Sequence, residues 1–302
     1  MSPPQKIFVT GATGTQGGGV ARHALRAGHS VYAFVRTPSS STSQALAAAG
    51  ATLVPGSFED DAASLARVMR GMDALYLQPP GSGPRDVGYA TRALAAARAA
   101  SVPVVVCSTA ARTGDHAAFP GWGPDYPMRE YWLAKHAIEE AVRGAGLARW
   151  TLLRPAHFLQ NLAPPVAPFV YSGFAETGVL KTAVRPGARL GWVDATDAGV
   201  VVAAVLEDPE RYAGRAIELA SESLTMEELA AQITEVTGRK VTVEPYSEEE
   251  LEEMARKGSG VLGSQRWASE VKTDLGVETA AKEFRLTPVR DFLARTPLFT
   301  DA

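Results

Sequence analysis

Ile7-Phe8-Val9-Thr10-Gly11-Ala12-Thr13-Gly14-Thr15-Gln16-Gly17 is the stretch that leaves this chain fewest choices. A short apolar run enters three glycines at G-x-x-G-x-x-G spacing, and helical periodicity resumes at once through Val20, Ala24 and Leu25. Glycines permit the sharp turn, let backbone N–H groups come close to a phosphate, and open a helix whose positive end faces the same anion. The spacing predicts a strand, turn and helix that bind a dinucleotide diphosphate. Gly11, Thr13, Gly14, Thr15, Gln16 and Gly17 are the candidate contacts.

The alternation continues. Gly28-His29 closes the first helix, and Val31 to Val35 read as a second strand ending at Arg36. In a dinucleotide fold that position faces the adenosine ribose, where an acidic residue selects a free 2′-hydroxyl and an arginine suits a 2′-phosphate. Arg36, with Thr37, Ser39 and Ser40 beside it, favours NADP(H) over NAD(H). A helix finishing at Gly50, a strand at Thr52 to Val54, a helix ending at Gly71 and a strand at Ala74 to Leu77 follow. Gln78, Pro79 and Pro80 come at the carboxyl end of that strand, over the cofactor. A helix from about Val87 to Ala100 leads to the β-branched run Val102 to Val106, which suits a strand buried on both faces. The predicted class is α/β, a Rossmann-type doubly wound parallel sheet.

After Arg154-Pro155 the composition changes, with Pro164, Pro165, Pro168, Phe169, Tyr171 and Phe174 close together. This marks a smaller, discontinuous C-terminal lobe of mixed α/β structure. The expected division is a nucleotide domain over 1–155, with about 192–212 returning to it, and a substrate lobe from about 156–190 and 213–302.

The 302 residues carry a net charge of −3 and no basic run, which argues against nucleic acid or an anionic membrane as a partner. The first strand starts too soon for a signal peptide, and no apolar run reaches the roughly 20 residues of a membrane span. Cys107 is the single cysteine, so no internal disulfide is possible and a reducing, cytoplasmic setting is expected. The five histidines lack ligand spacing and there is no G-x-S-x-G elbow, so no metal site and no serine hydrolase is expected. A small-molecule substrate and a monomer or homodimer are the expected partner and assembly.

Tyr131 and Lys135 stand at i and i+4 on one helix, so phenol and ammonium can point into one cleft. A nearby cation favours the phenolate, lowering the tyrosine pKa toward working pH. Upstream, Ser108 and Thr109 end the fifth strand with hydroxyls able to hold a carbonyl oxygen. The aromatics Trp122, Tyr126 and Trp192 are candidate walls for a flat aromatic ketone, quinone or enone.

The Gly-Ala-Thr-Gly run with Gln16 before Gly17, the Tyr131/Lys135 pair, Trp150-Thr151-Leu152-Leu153-Arg154-Pro155 with Phe158 and Asn161, and Gly191 to Ala198 together resemble the NmrA-like branch of the short-chain dehydrogenase/reductase superfamily. The resemblance runs from about Lys6 to Gly238. It implies a Ser/Thr, Tyr and Lys catalytic set, with Thr109 slightly preferred to Ser108 because Ala110-Ala111 follows it. Lys135 would also bond the nicotinamide ribose. Ser57, where the superfamily usually has an aspartate, and Phe58 would lie at the adenine. Pro155, His157 and Phe158 would pass the nicotinamide, and Asn161 would lie near the substrate. The implied activity is an NADPH-dependent oxidoreductase reducing a carbonyl, quinone or conjugated enone. The alternative is an NADP(H)-sensing regulator of the NmrA type without turnover.

Overall fold

Short apolar runs, most of them followed by a helix closed near a glycine, alternate through the first half of the chain. The computed structural model describes residues 3–81 and 83–299. Its first elements are β1 (Lys6–Val9), α1 (Thr15–Arg26), β2 (Ser30–Val35), α2 (Ser41–Ala48), β3 (Thr52–Pro55) and α3 (Ala62–Met69). β4 (Ala74–Leu77), α4 (Arg85–Ala99), β5 (Val104–Ser108), α5 (Arg129–Gly144) and β6 (Arg149–Pro155) follow. With the strand Arg215–Leu219 they form a seven-stranded sheet, ordered Arg215–Leu219, β6, β5, β4, β1, β2, β3.

Neighbours among β1 to β6 pair in parallel, with Ile7 opposite both Val31 and Ala74. The order reverses between β1 and β4, and that switch point opens a crevice at the strands' carboxyl ends. This is the doubly wound Rossmann-type sheet expected from the alternation. β5 starts at Val104 instead of Val102. The Val102 N–H still bonds the Ala97 carbonyl at the end of α4, and Pro103 has no N–H to give a ladder.

One face of the sheet buries Leu75, Leu77, Val105, Cys107 and Leu152 against Leu65, Leu94, Ile138 and Val142 of α3, α4 and α5. Burying each such aliphatic side chain contributes about 1.5–3 kcal/mol. On the other face α1 crosses the helix Ala198–Glu207 at very short range. A Cβ on Gly19 would stand 2.5 Å from Thr196 Cα, and one on Gly199 would stand 2.8 Å from the Gly19 carbonyl oxygen. The chain thus returns to the nucleotide domain, and this compact unit comprises the residues up to Gly114, Glu130–Arg154 and Ala195–Ile217. The return runs past the expected residue 212 because Arg215–Leu219 lies beside β6 as an edge strand.

The second compact unit comprises Asp115–Arg129, Pro155–Asp194 and the chain from Glu218. Its three-stranded sheet has Leu190–Val193 at the centre, antiparallel to Glu222–Leu224 and parallel to His157–Phe158. A parallel pair joins Val179–Thr182 to Thr242–Pro245. The helix Met226–Thr237 opens with a capping box. The Glu228 N–H donates to the Thr225 hydroxyl at 3.1 Å, the Thr225 N–H donates to the Glu228 carboxylate at 3.0 Å, and Gly238 closes the helix. Residues 115–129, expected in the nucleotide domain, belong to this second unit. Phe119 packs on Trp267 with centroids 6.0 Å apart, and Trp122 and Tyr126 pack around Phe119.

Candidate functional site

The glycine turn takes the form its spacing demands. Gly11 has φ +62°, the Gly14 N–H donates to the Gly11 carbonyl at 2.9 Å, and a Cβ on Gly17 would lie 2.4 Å from that same carbonyl oxygen. Only glycine fits there. α1 begins at Thr15 with Gly14 as its N-cap, no side-chain cap bond and no acidic residue in the first turn. Its leading N–H groups therefore keep their positive character for an external anion.

A cavity of about 320 Å³ opens beside the turn. Its wall includes Gly11, Thr13 and Gly14 from the turn, Arg36 from the end of β2, Ser57 and Phe58 after β3, and Gln78 and Pro80 after β4. These come from separate segments of the chain, and the switch-point topology brings them together. Thr15 is exposed at the helix start, whereas Gln16, Gly17 and Pro79 are buried behind the wall. Two buried amide atoms, Gln78 Oε1 and Gln16 Nε2, have no protein partner. A buried polar atom left so costs about 1–3 kcal/mol. The turn, the bare helix N-terminus and exposed Arg36 suit a dinucleotide carrying a 2′-phosphate.

Ser57 is held by Asp60. Its N–H donates to Asp60 Oδ2 at 3.0 Å, and its hydroxyl accepts from the Glu59 N–H at 3.1 Å. Phe58 stacks on Tyr89, with centroids 5.6 Å apart and planes 28° apart, and its carbonyl accepts from Arg92 at 2.7 Å. Tyr89 in turn donates to Glu59, and Tyr89, Glu59 and Phe34 also line the cavity. None of these three stands out in the sequence, because each is brought to the wall by its neighbours and not by a motif.

On α5, Tyr131 is half-buried and Lys135 is buried, with the ammonium nitrogen 5.4 Å from the Tyr131 ring centroid. Lys135 Nζ donates to the Gly81 carbonyl at 3.2 Å and lies 4.0 Å from the Asp86 carboxylate. Burial pushes the Tyr131 phenol up to about 12, and the charge of Asp86 adds to the rise. This is opposite to the lowering expected from the lysine. Desolvation outweighs an ammonium already engaged by a carbonyl and a carboxylate. Burial also pushes the Lys135 pKa down, opposed by Asp86.

The two hydroxyls at the end of β5 part company. Thr109 donates to Glu139 at 2.8 Å, and its oxygen also lies 3.3 Å from the Leu153 carbonyl. Ser108, one residue earlier in an alternating strand, lies beside the buried phenol of Tyr76. Both hydroxyls are therefore buried against protein partners, Thr109 on Glu139 and Ser108 on Tyr76. Glu139, fully buried, also accepts from Arg154 at 2.7 and 2.9 Å and from Arg143 at 2.8 Å. Cys107 is a buried thiol that burial pushes up to about 12, which makes it inert.

Pro155, His157 and Phe158 belong to the second unit, together with Trp122, Tyr126, Asn161 and Trp192. His157 Nδ1 donates to the Gly191 carbonyl at 3.3 Å, its ring packs between Trp192 and Trp267, and burial lowers its pKa to about 4. Trp192 is fully enclosed and leaves no face for a substrate, so it is core. The rings of Trp122 and Tyr126 meet at a tilt of 49° with centroids 5.0 Å apart, and both residues remain half-buried, as does Asn161. Trp267, on the helix Gly260–Glu270, joins Phe119 and His157 in the same aromatic cluster, which the sequence around it does not announce. Asp194 accepts from Gln160 at 2.7 Å and pairs with Arg295. Among the described residues no group of three or more His, Cys, Asp or Glu side chains could hold a metal ion, and no helix is long and apolar enough to cross a membrane.

The model of the NmrA-like family matches residues 3–290. The chain belongs to the NmrA-like family. FrzB, an NmrA-like oxidoreductase of a Cladobotryum species, is 32% identical over 264 residues, covering 79% of this chain and 75% of the relative. A (4-alkanoyl-5-oxo-2,5-dihydrofuran-3-yl)methyl phosphate reductase of Streptomyces griseus is 32% identical over 239 residues, covering 79% and 76%. Among solved structures, NmrA, a negative transcriptional regulator in complex with NADP, superposes with a TM-score of 0.78 at 19% identity, over 97% of this chain and 95% of that one. That NmrA-like likeness, at this identity, is one of fold.

Proposed function

We propose that this NmrA-like chain is an NADPH-dependent oxidoreductase that reduces a carbonyl, quinone or conjugated enone of a small, flat substrate. The observation that carries the reading is the cavity at the sheet's switch point, which Gly11, Thr13 and Gly14 of the turn, Gln78 and exposed Arg36 line together. The turn and the start of α1 hold the diphosphate through backbone N–H groups. Arg36 takes the 2′-phosphate as a charge-assisted pair. When bound, NADPH supplies the hydride.

The remaining proton comes from Tyr131. With its pKa near 12 the phenol is protonated at neutral pH, the state a donor needs in the reductive direction. Releasing that proton leaves a phenolate, and the Lys135 ammonium beside the ring stabilises the charge. Ser108 or Thr109, both at the end of β5, orients the acceptor oxygen. The oxidoreductase names of the two 32% relatives support this reading, and one of them acts on a conjugated ring. The half-buried aromatic rings of Trp122 and Tyr126 support an aromatic substrate.

A second reading is a nucleotide-sensing regulator without turnover. It is favoured by the engagement of Lys135 with Gly81 and Asp86. NADPH oxidation against a panel of quinones, aryl ketones and enones separates the two. Consumption of NADPH with stoichiometric substrate reduction is expected. Tight NADPH binding with no consumption across the panel supports the regulator instead.

A further inference from the structure

Asp86 is a buried carboxylate that this reading does not use. It stands in the first turn of α4, where a helix N-terminus favours a negative charge, yet it is only 4% exposed. A dipole-stabilising aspartate needs no such enclosure. Asp86 Oδ2 accepts the Gly81 N–H at 3.1 Å, while Lys135 Nζ donates to the Gly81 carbonyl at 3.2 Å, and the two charges stand 4.0 Å apart. Both backbone polar atoms of Gly81 are thus gripped by the two halves of one ion pair. A Cβ on Gly81 would come within 3.2 Å of Asp86 Oδ1, so a glycine gives the carboxylate its approach.

We propose that Asp86 is a positioning residue of the site: it keeps Lys135 charged and clamped on Gly81, and so fixes the turn whose Gln78 and Pro80 wall the nucleotide cavity. The proposal rests on the reductase reading for its consequence, and on geometry for its substance. The groups facing the ammonium are Asp86 from α4, the Gly81 carbonyl from the turn, Cys107 from β5 and the Tyr131 ring from α5 itself. Cys107 is a neutral thiol at working pH, so Asp86 supplies the negative charge that a desolvated ammonium requires.

The test is the titration of Lys135 by NMR of labelled lysine in the cofactor-free protein, with the resonance assigned by its loss in Lys135→Arg. Asp86→Asn, which keeps the shape and removes the charge, should lower the Lys135 midpoint by about one pH unit. It should also weaken NADPH binding about three- to tenfold as the turn loosens. A midpoint that does not move, with thermal stability alone reduced, overturns the proposal and leaves Asp86 as a helix-end residue. Should Asp86→Asn not fold, the double variant Asp86→Asn/Lys135→Met carries the test. It should be more stable than Lys135→Met alone, which strands a buried carboxylate, and equal or lower stability overturns the proposal. Absence of NADPH binding in the unaltered protein would overturn the functional reading and leave the titration result standing.

Discussion

Arg36 stands exposed where β2 ends, on the wall of the 320 Å³ cavity. A charge-assisted bond to a 2′-phosphate contributes about 1.5–3 kcal/mol, so Arg36→Ala should weaken NADPH about 10- to 100-fold and leave NADH nearly unchanged. Equal losses for the two cofactors, measured by fluorescence titration, would remove the basis for the preference. His157 makes a separate prediction in the second unit. Its pKa is lowered to about 4 from the ordinary 6.5, so the fold favours the neutral ring. Its contribution is complete above the unfolded value, is lost as pH falls through 6.5 toward 4, and amounts to about 1–3 kcal/mol. Urea unfolding across that window should show a shallower loss of stability in His157→Asn than in the unaltered protein, and identical slopes would contradict the assignment. Single residues were legible where local chemistry defines them: the glycine spacing and Arg36 could be read directly. The partners of Ser108 and Thr109 could not be, because Tyr76 and Glu139 come to them from other elements.

At the scale of the element, α5 carries Tyr131, Lys135 and Glu139 at successive intervals of four, on one face. The first pair is visible in the sequence, and the third member is not, since its meaning comes from Arg154 on β6 and Thr109 after β5. Through these bonds Glu139 ties α5 to β6 and to the end of β5. Glu139→Ala leaves two guanidinium groups and a hydroxyl without their shared acceptor, and should cost about 3 kcal/mol, at the lower end for a buried pair because both arginines keep some contact with water. A loss below about 1 kcal/mol in equilibrium unfolding would mean that the network is dispensable. The strands and helices around it were placed by periodicity to within a few residues, and β5 moved only because Pro103 interrupts the ladder.

For the whole molecule, the strand order follows from the α/β alternation, and with it the position of the crevice between β1 and β4. The change of composition after Pro155 is where the second compact unit resumes. The assignment of residues 115–129 was not legible, because it rests on Phe119, Trp122 and Tyr126 meeting Trp267, which lies far along the sequence. Nor was the direction of the Tyr131 shift, since burial is a property of the folded protein and the spacing of two residues does not contain it. The protonated phenol that results is nevertheless the form a reductase requires. Single-turnover oxidation of bound NADPH by a quinone or enone substrate, compared between the unaltered protein and Tyr131→Phe, tests this most directly. A rate lower by about 10²- to 10⁴-fold with NADPH affinity unchanged is expected; equal rates would contradict the role given to Tyr131.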